Sequence, residues 1–415
     1  MIILQSVAGF LIFAALAWCI SENRSGFPVK TVLIGMLTQL GLALLLLKFK
    51  FFAYVFVYLN RAVLALEAST RAGTAFVFGY IGGGDKPFEV VDPQATFVLA
   101  FQALPLVLVI SALSSVFFYW NILPRLVNGF SWLLKKTLRI GGAEGLGVAA
   151  NIFVGMVESP LLIRPYVAKL SRSELFTVMT SGMATIAGTV LVLYASILEP
   201  VIPNVAGHIL TASIISAPAA IVVSKIMIPE TGSLTSGQLK APDEACGTMD
   251  ALTRGTIQGI ELLLNIIAMI IVLVALVELV NIMLGIAPHV CGQPLTLERI
   301  FGWIMAPVVW LMGVPWGQAQ TAGALLGTKT VLNEFIAYIN MSHLPTGSLD
   351  SRSLLIMSYA LCGFANPGSL GIMIGGLGAI APDRRDEIVS LGLRAIVAGT
   401  MATCMTGAVV GILHF

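Results

Sequence analysis

Long stretches of this chain carry apolar residues almost without interruption, at lengths close to the ~20 residues a helix needs to cross a bilayer. Eight stretches fit: 3–20, 29–47, 95–119, 175–198, 208–228, 257–284, 353–380 and 388–413. The runs are continuous rather than alternating, which predicts helices and not the strands of a barrel. Two further regions mix apolar residues with charge. Residues 51–85 carry Arg61, Glu67 and Arg71, and residues 121–140 carry Arg125, Lys135, Lys136 and Arg139. Both read as amphipathic helices lying along the membrane. Only 230–255 reads as a polar loop. In 143–170 and 300–340, short apolar arms flank a polar middle containing glycine or proline. Each arm is too short to cross alone, so each segment reads as a re-entrant hairpin, a shape allowed only where protein or a water-filled cavity covers its backbone.

The predicted fold is therefore an all-α integral membrane protein: eight transmembrane helices, two re-entrant helical hairpins and interfacial helices. A hairpin followed by two spans occurs twice, at 143–228 and 300–415, and the hairpins enter from opposite sides, so the two units form an inverted repeat. Residues 1–142 then supply N-terminal spans, interfacial helices and a scaffold helix, and 229–299 a polar loop and a second scaffold helix. The basic residues test the topology. Arg24 and Lys30, the 125–139 cluster, Arg164, Lys169 and Arg172, then Lys225, Lys240 and Arg254, and finally Arg384 and Arg385 share the cytoplasmic side if both termini lie outside.

Composition narrows the class. Residues are 57% hydrophobic and 11% charged, with a mean hydropathy of +0.94, whereas soluble domains average about 25% charged residues. A net charge of +2 argues against a nucleic-acid partner and leaves the lipid bilayer as the chain's solvent. The five cysteines and four histidines are dispersed, without the spacing of a zinc or redox site.

The candidate chemistry lies in four short stretches. Gly155-Met156-Val157-Glu158-Ser159-Pro160 and Leu332-Asn333-Glu334-Phe335 each place a carboxylate in apolar surroundings, at a cost of roughly 2.5–3.5 kcal/mol on insertion scales. Each is followed by an interrupted apolar segment, first Met183 to Thr189 and then Gly363 to Gly371. Paired interruptions in two halves of a membrane protein point to a transporter's central site. Structural readings exist for the same residues. Glu158 could simply favour a helix start, Glu334 could pair with Lys329, Asn366 and Ser369 could join helices, and Thr185 could bond its own helix.

In these motifs the chain resembles the concentrative nucleoside transporter family. The stretches that carry the likeness are Gly155-Met156-Val157-Glu158, Gly313-Val314-Pro315-Trp316, Leu332-Asn333-Glu334-Phe335 and Gly363-Phe364-Ala365-Asn366-Pro367-Gly368-Ser369-Leu370-Gly371, in family order from about residue 93 onward. The resemblance implies ion-coupled symport of nucleosides into the cell by an elevator motion, in a homotrimer at the inner membrane. It implies that Met156, Val157 and Glu158 face the base, that Glu334, Asn366 and Ser369 hold the ribose, and that Val190 and Phe364 line the pocket. It places a sodium ion near Asn151, Val154, Thr185 and Ile186, with a proton as the alternative coupling ion. Vicinal ribose hydroxyls are two donors, which a carboxylate accepts in charge-assisted bonds. Sodium prefers oxygen ligands, as other hard cations do. The chain departs from the family at Met156 and Val157, where glutamine and a small polar residue are common. That change implies an apolar floor under the base and a modified nucleoside as an alternative substrate. From other classes come an intramembrane hydrolase using Glu158 and Glu334, which lacks a nucleophile–histidine or HExxH constellation, and a channel sharing the hairpin architecture.

Overall fold

The computed structural model describes residues 2–89, 96–156, 158–237, 245–286, 288–290, 292 and 294–413, with residues 50 and 53 described by backbone alone. Val157, Lys240 and Cys291 therefore lie outside the described residues. The helices are, in order, α1 (Ile2–Cys19), α2 (Val29–Lys48), α3 (Lys50–Phe78), α4 (Leu99–Gln102), α5 (Leu106–Tyr119), α6 (Ile122–Leu138) and α7 (Gly142–Asn151). There follow α8 (Glu158–Leu162), α9 (Arg164–Val167), α10 (Arg172–Ala184), α11 (Gly188–Leu198), α12 (Val205–Met227) and α13 (Thr248–Leu284). The last six are α14 (Leu297–Leu311), α15 (Trp316–Val331), α16 (Glu334–Ser342), α17 (Ser351–Ala360), α18 (Pro367–Ile380) and α19 (Arg385–Leu413).

Seven helical segments among the described residues are long and apolar enough to cross a bilayer. The stretch at 353–380 is interrupted as its sequence predicts: it forms two short helices, α17 and α18, because the chain leaves helical geometry between Leu361 and Asn366. The stretch at 175–198 is likewise divided into α10 and α11 by Thr185–Ala187. Local chemistry sets these ends. Ser171 and Glu174 cap each other at the start of α10. Asn366 accepts from the Ser369 N–H at 2.8 Å, and Pro367 opens α18, where its missing N–H leaves no bond unmade.

The order of elements repeats: α7 and α8–α9 form two hairpin arms, then come the divided α10–α11 and the continuous α12. Arms α15 and α16 are followed by the divided α17–α18 and the continuous α19. The segment 300–340 holds two reversals, not one. At Gly313–Val314–Pro315 the chain bends by 115° between α14 and α15, and the hairpin tip proper is Leu332–Asn333, between α15 and α16. Both sites carry a breaker in an otherwise helical pattern. Proline cannot donate to the preceding turn, and the Asn333 side chain accepts from the Ile336 N–H at 2.9 Å and so starts a new helix.

Burial separates the helices. The apolar window of α12 is 94% buried and that of α13 is 0% buried, so α12 is core and α13 presents its apolar surface outward, as a helix in lipid does. What α13 does bury is Ala251, Gly255 and Gly259, one every four residues. A Cβ at Gly255 would sit 2.6 Å from the Ser111 carbonyl oxygen, so this small-residue stripe lets α13 approach the α5 backbone directly. Helix α1 packs along α19 and α2 along α12. The amphipathic α6 buries Pro124, Val127, Ser131, Leu134 and Leu138, the spacing of one helix face. Helix α3 covers the other region predicted to be amphipathic.

Arg172 and Arg384, two of the basic residues assigned to one side, are held by polar partners near the starts of α10 and α19. Arg172 donates to Glu22 at 2.9 Å, Arg394 also bonds Glu22, and Arg384 donates to the Val167 and Leu170 carbonyls. The Arg172 hydrogen bond holds the Glu22 carboxyl below its ordinary range, so its stabilisation is present at neutral pH and is lost as pH falls through the lowered value. The pair is part-exposed, and Glu22→Ala is expected to cost under about 1 kcal/mol. Thermal melts in detergent at pH 7 would show that loss, and the gap from the parent protein should close in acid.

Candidate functional site

The two hairpin tips and the two breaks converge. At Gly363, in the second break, a Cβ would lie 2.9 Å from the Met183 carbonyl oxygen and 2.8 Å from Thr403 Cγ2. The two divided spans thus cross back to back with no room for a side chain between them. Around the crossing lies a cavity with about 180 Å³ of room for the centre of a water molecule. Its lining includes Met156, Glu158, Val190, Glu334, Phe364, Asn366 and Ser369, which is every predicted substrate residue except Val157.

Glu334 is the first residue of α16 and is 4% exposed. Its Oε1 accepts from the Tyr194 hydroxyl at 2.6 Å and its Oε2 from Asn366 Nδ2 at 3.1 Å. The start of a helix favours a negative charge, and each carboxylate oxygen keeps lone-pair capacity for another donor. Asn366 serves two ends at once, capping α18 through its oxygen and holding Glu334 through its nitrogen. Lys329 does not pair with Glu334: its ammonium donates to Ala360 O and Thr403 Oγ1, each at 2.8 Å. Glu158, the first residue of α8, is exposed to the cavity, while Met156 and Val190 are buried against its wall.

The first hairpin tip lies against the first break, where the Gly188 N–H donates to the Phe153 carbonyl at 3.0 Å. Asn151, the last residue of α7, is 1% exposed, and neither its Oδ1 nor its Nδ2 has a protein partner. That oxygen lies 3.8 Å from where a Cβ at Gly182 would stand. The hydroxyls of Thr180, Ser181 and Thr189 are also buried without partners. The Thr185 hydroxyl donates to the Ser181 carbonyl at 2.8 Å, which spends its proton but not its lone pairs. Ile186 is buried and Val154 half-buried on the same tip and break. Orphaned buried oxygens cost about 1–3 kcal/mol each, and oxygen-rich surroundings of this kind suit a hard cation.

Sequence reasoning missed two side chains. Tyr194 lies four residues after Val190, hence on the same helix face, and that spacing was the available signal. Its ring also packs 5.1 Å from that of Tyr338. Asn265 is a polar residue in the apolar α13 and faces the cavity beside Leu262, Ile266 and Met269. Tyr194→Phe removes one donor to Glu334 without changing the packing, and is expected to weaken substrate binding roughly 5- to 10-fold, the equivalent of about 1–1.5 kcal/mol. Titration of the purified protein by calorimetry would check it.

Family models cover the chain in three parts: Na+ dependent nucleoside transporter N-terminus over residues 8–81, nucleoside recognition (Gate) over 100–201, and Na+ dependent nucleoside transporter C-terminus over 208–411. The chain is 38% identical to the uncharacterized transporter YutK of Bacillus subtilis, over 99% of both chains. It is 32% identical to the nucleoside permease NupC of Helicobacter pylori, over 99% of this chain and 97% of that one. It also superposes on the structure of CNTnw in an inward-facing substrate-bound state with a TM-score of 0.90 at 33% identity, covering 99% of this chain and 98% of the other.

Proposed function

The chain belongs to the concentrative nucleoside transporter family, and on that premise we propose that it is a sodium-coupled nucleoside symporter working by an elevator motion. It is a multi-pass membrane transporter and not an enzyme, which removes the hydrolase reading. The observation that carries the proposal is the Glu334 carboxylate, held by Tyr194 and Asn366 at the mouth of two helices. Two ribose hydroxyls donate to its remaining lone pairs, and Ser369 adds a further polar contact. Met156, Val190 and Phe364 form an apolar floor for the base, with Glu158 at its edge. The partnerless oxygen of Asn151, with Thr185 and the carbonyls near Val154 and Ile186, takes up sodium. Sodium stabilises the first tip against the first break and so completes the base side of the pocket.

The moving body comprises α7–α12 and α14–α19, with α1 and α2 packed on it, while α5 and α13 form the fixed wall on which Leu262, Asn265 and Met269 face the substrate. The outward apolar surface of α13 supports a homotrimer, and both chain ends lie outside the cytoplasm. One coupled charge at about 100 mV supplies ~2.3 kcal/mol and a tenfold sodium gradient ~1.4 kcal/mol, enough for accumulation on the order of 500-fold. The test is uptake of labelled uridine and adenosine into proteoliposomes under an inward sodium gradient, a proton gradient or neither. Accumulation in the sodium arm alone supports the reading. Accumulation driven by protons removes the ion assignment, and uptake without any gradient removes the symport.

A further inference from the structure

The two halves of the repeat treat the same place differently. In the first half, the first hairpin arm, α7, meets the last turn of α10 through Asn151, a neutral side chain with no protein partner. In the second half, the corresponding arm, α15, meets the end of α17 through Lys329. This lysine is 0% exposed. Its ammonium donates to the carbonyl of Ala360, the last residue before the break, and to the hydroxyl of Thr403 on α19, each at 2.8 Å. Ala184 occupies in α10 the position that Ala360 occupies in α17, the final helical residue before the chain unwinds. No ion pair joins Lys329 to a carboxylate among the described residues, and both hydrogen bonds of its buried ammonium go to neutral oxygens. An ammonium donates to such oxygens from the position a hard monovalent cation would take between them.

We propose that the Lys329 ammonium is a tethered cation that permanently fills, in the second half, the position where the first half admits an exchangeable ion. The second break is thereby held closed at every stage of transport, and only the first responds to sodium. The protein accordingly moves one sodium ion per nucleoside. This rests on the sodium-symport reading above.

Two measurements test it. In wild-type proteoliposomes, the reversal potential of nucleoside-coupled current gives the ion count: one sodium per nucleoside is expected, and two overturns the inference. A current that ignores sodium fails the symport reading instead, and is seen before any variant is made. In Lys329→Gln the side chain offers a neutral oxygen where the charge was. Its thermal stability is expected to be low in choline and restored by sodium, and the Hill coefficient for sodium in uptake should rise from about 1 toward about 2. Lys329→Met, which offers no oxygen, should show no such rescue. Equal stability of Lys329→Gln in sodium and choline, or a failure to fold at any sodium concentration, would make the lysine a structural tie and overturn the proposal.

Discussion

Replacing Glu334 by glutamine should lower nucleoside uptake at least about 100-fold while leaving the fold intact. A hydrogen bond to an ionised group contributes about 1.5–3 kcal/mol, and the carboxylate offers one acceptor oxygen to each of two adjacent hydroxyls. Glutamine keeps one acceptor and turns an N–H₂ toward a group that needs to donate. A loss of about 3 kcal/mol corresponds to roughly two decades in binding. The fold should survive because Tyr194 and Asn366 can still bond an amide, and because removing a buried charge also removes its desolvation cost. Melting curves and uptake should therefore separate: near-native stability with activity almost gone. A second signature comes from deoxynucleosides. The parent protein should discriminate against a 3′-deoxy substrate, and the variant should not. Parent-like affinity for ribonucleosides in Glu334→Gln would show that the ribose binds elsewhere.

Asn151→Leu should move two observables in opposite directions. In sodium-free buffer the variant is expected to be more stable than the parent by about 1–2 kcal/mol, because both polar atoms of Asn151 are buried without protein partners and each such atom is costly. Sodium, by contrast, should stabilise the parent but not the variant. A ligand at tenfold its Kd raises stability by about 1.4 kcal/mol, so the parent's melting temperature should climb with sodium and the variant's should stay flat. Choline serves as the control cation. A preserved sodium shift in Asn151→Leu would place the ion away from the first hairpin tip. A variant less stable in choline would mean that Asn151 is bonded in the resting protein.

Much of the architecture was legible in order along the chain. Uninterrupted apolar runs can satisfy their backbone in a bilayer only as helices, so the span positions followed from length and hydropathy, as did the amphipathic α6 from its charges. The breaks were legible because they have local causes. Asn366-Pro367 and Asn333-Glu334 are helix-start chemistry placed inside apolar segments, and a buried carboxylate is too costly to leave unexplained. The number of reversals in 300–340 was not legible. Two breakers eighteen residues apart, at Pro315 and Asn333, read equally well as one long hairpin or as a bend followed by a hairpin.

Pairings across the chain were not legible. That Lys329 passes over Glu334 and bonds Ala360 and Thr403 instead depends on where α17 and α19 lie, since packing and not sequence distance selects the partner. Tyr194 and Asn265 reach the cavity only because α11 and α13 turn those faces inward. The sequence by itself determined which segments are helical, where they break and which residue types meet at the breaks, since these depend on interactions within a few turns of one helix. Only the tertiary structure decided which broken end faces which. The crossing at Gly363, the two donors on Glu334 and the orphaned oxygen of Asn151 arise between segments far apart in sequence, where close packing fixes the partner.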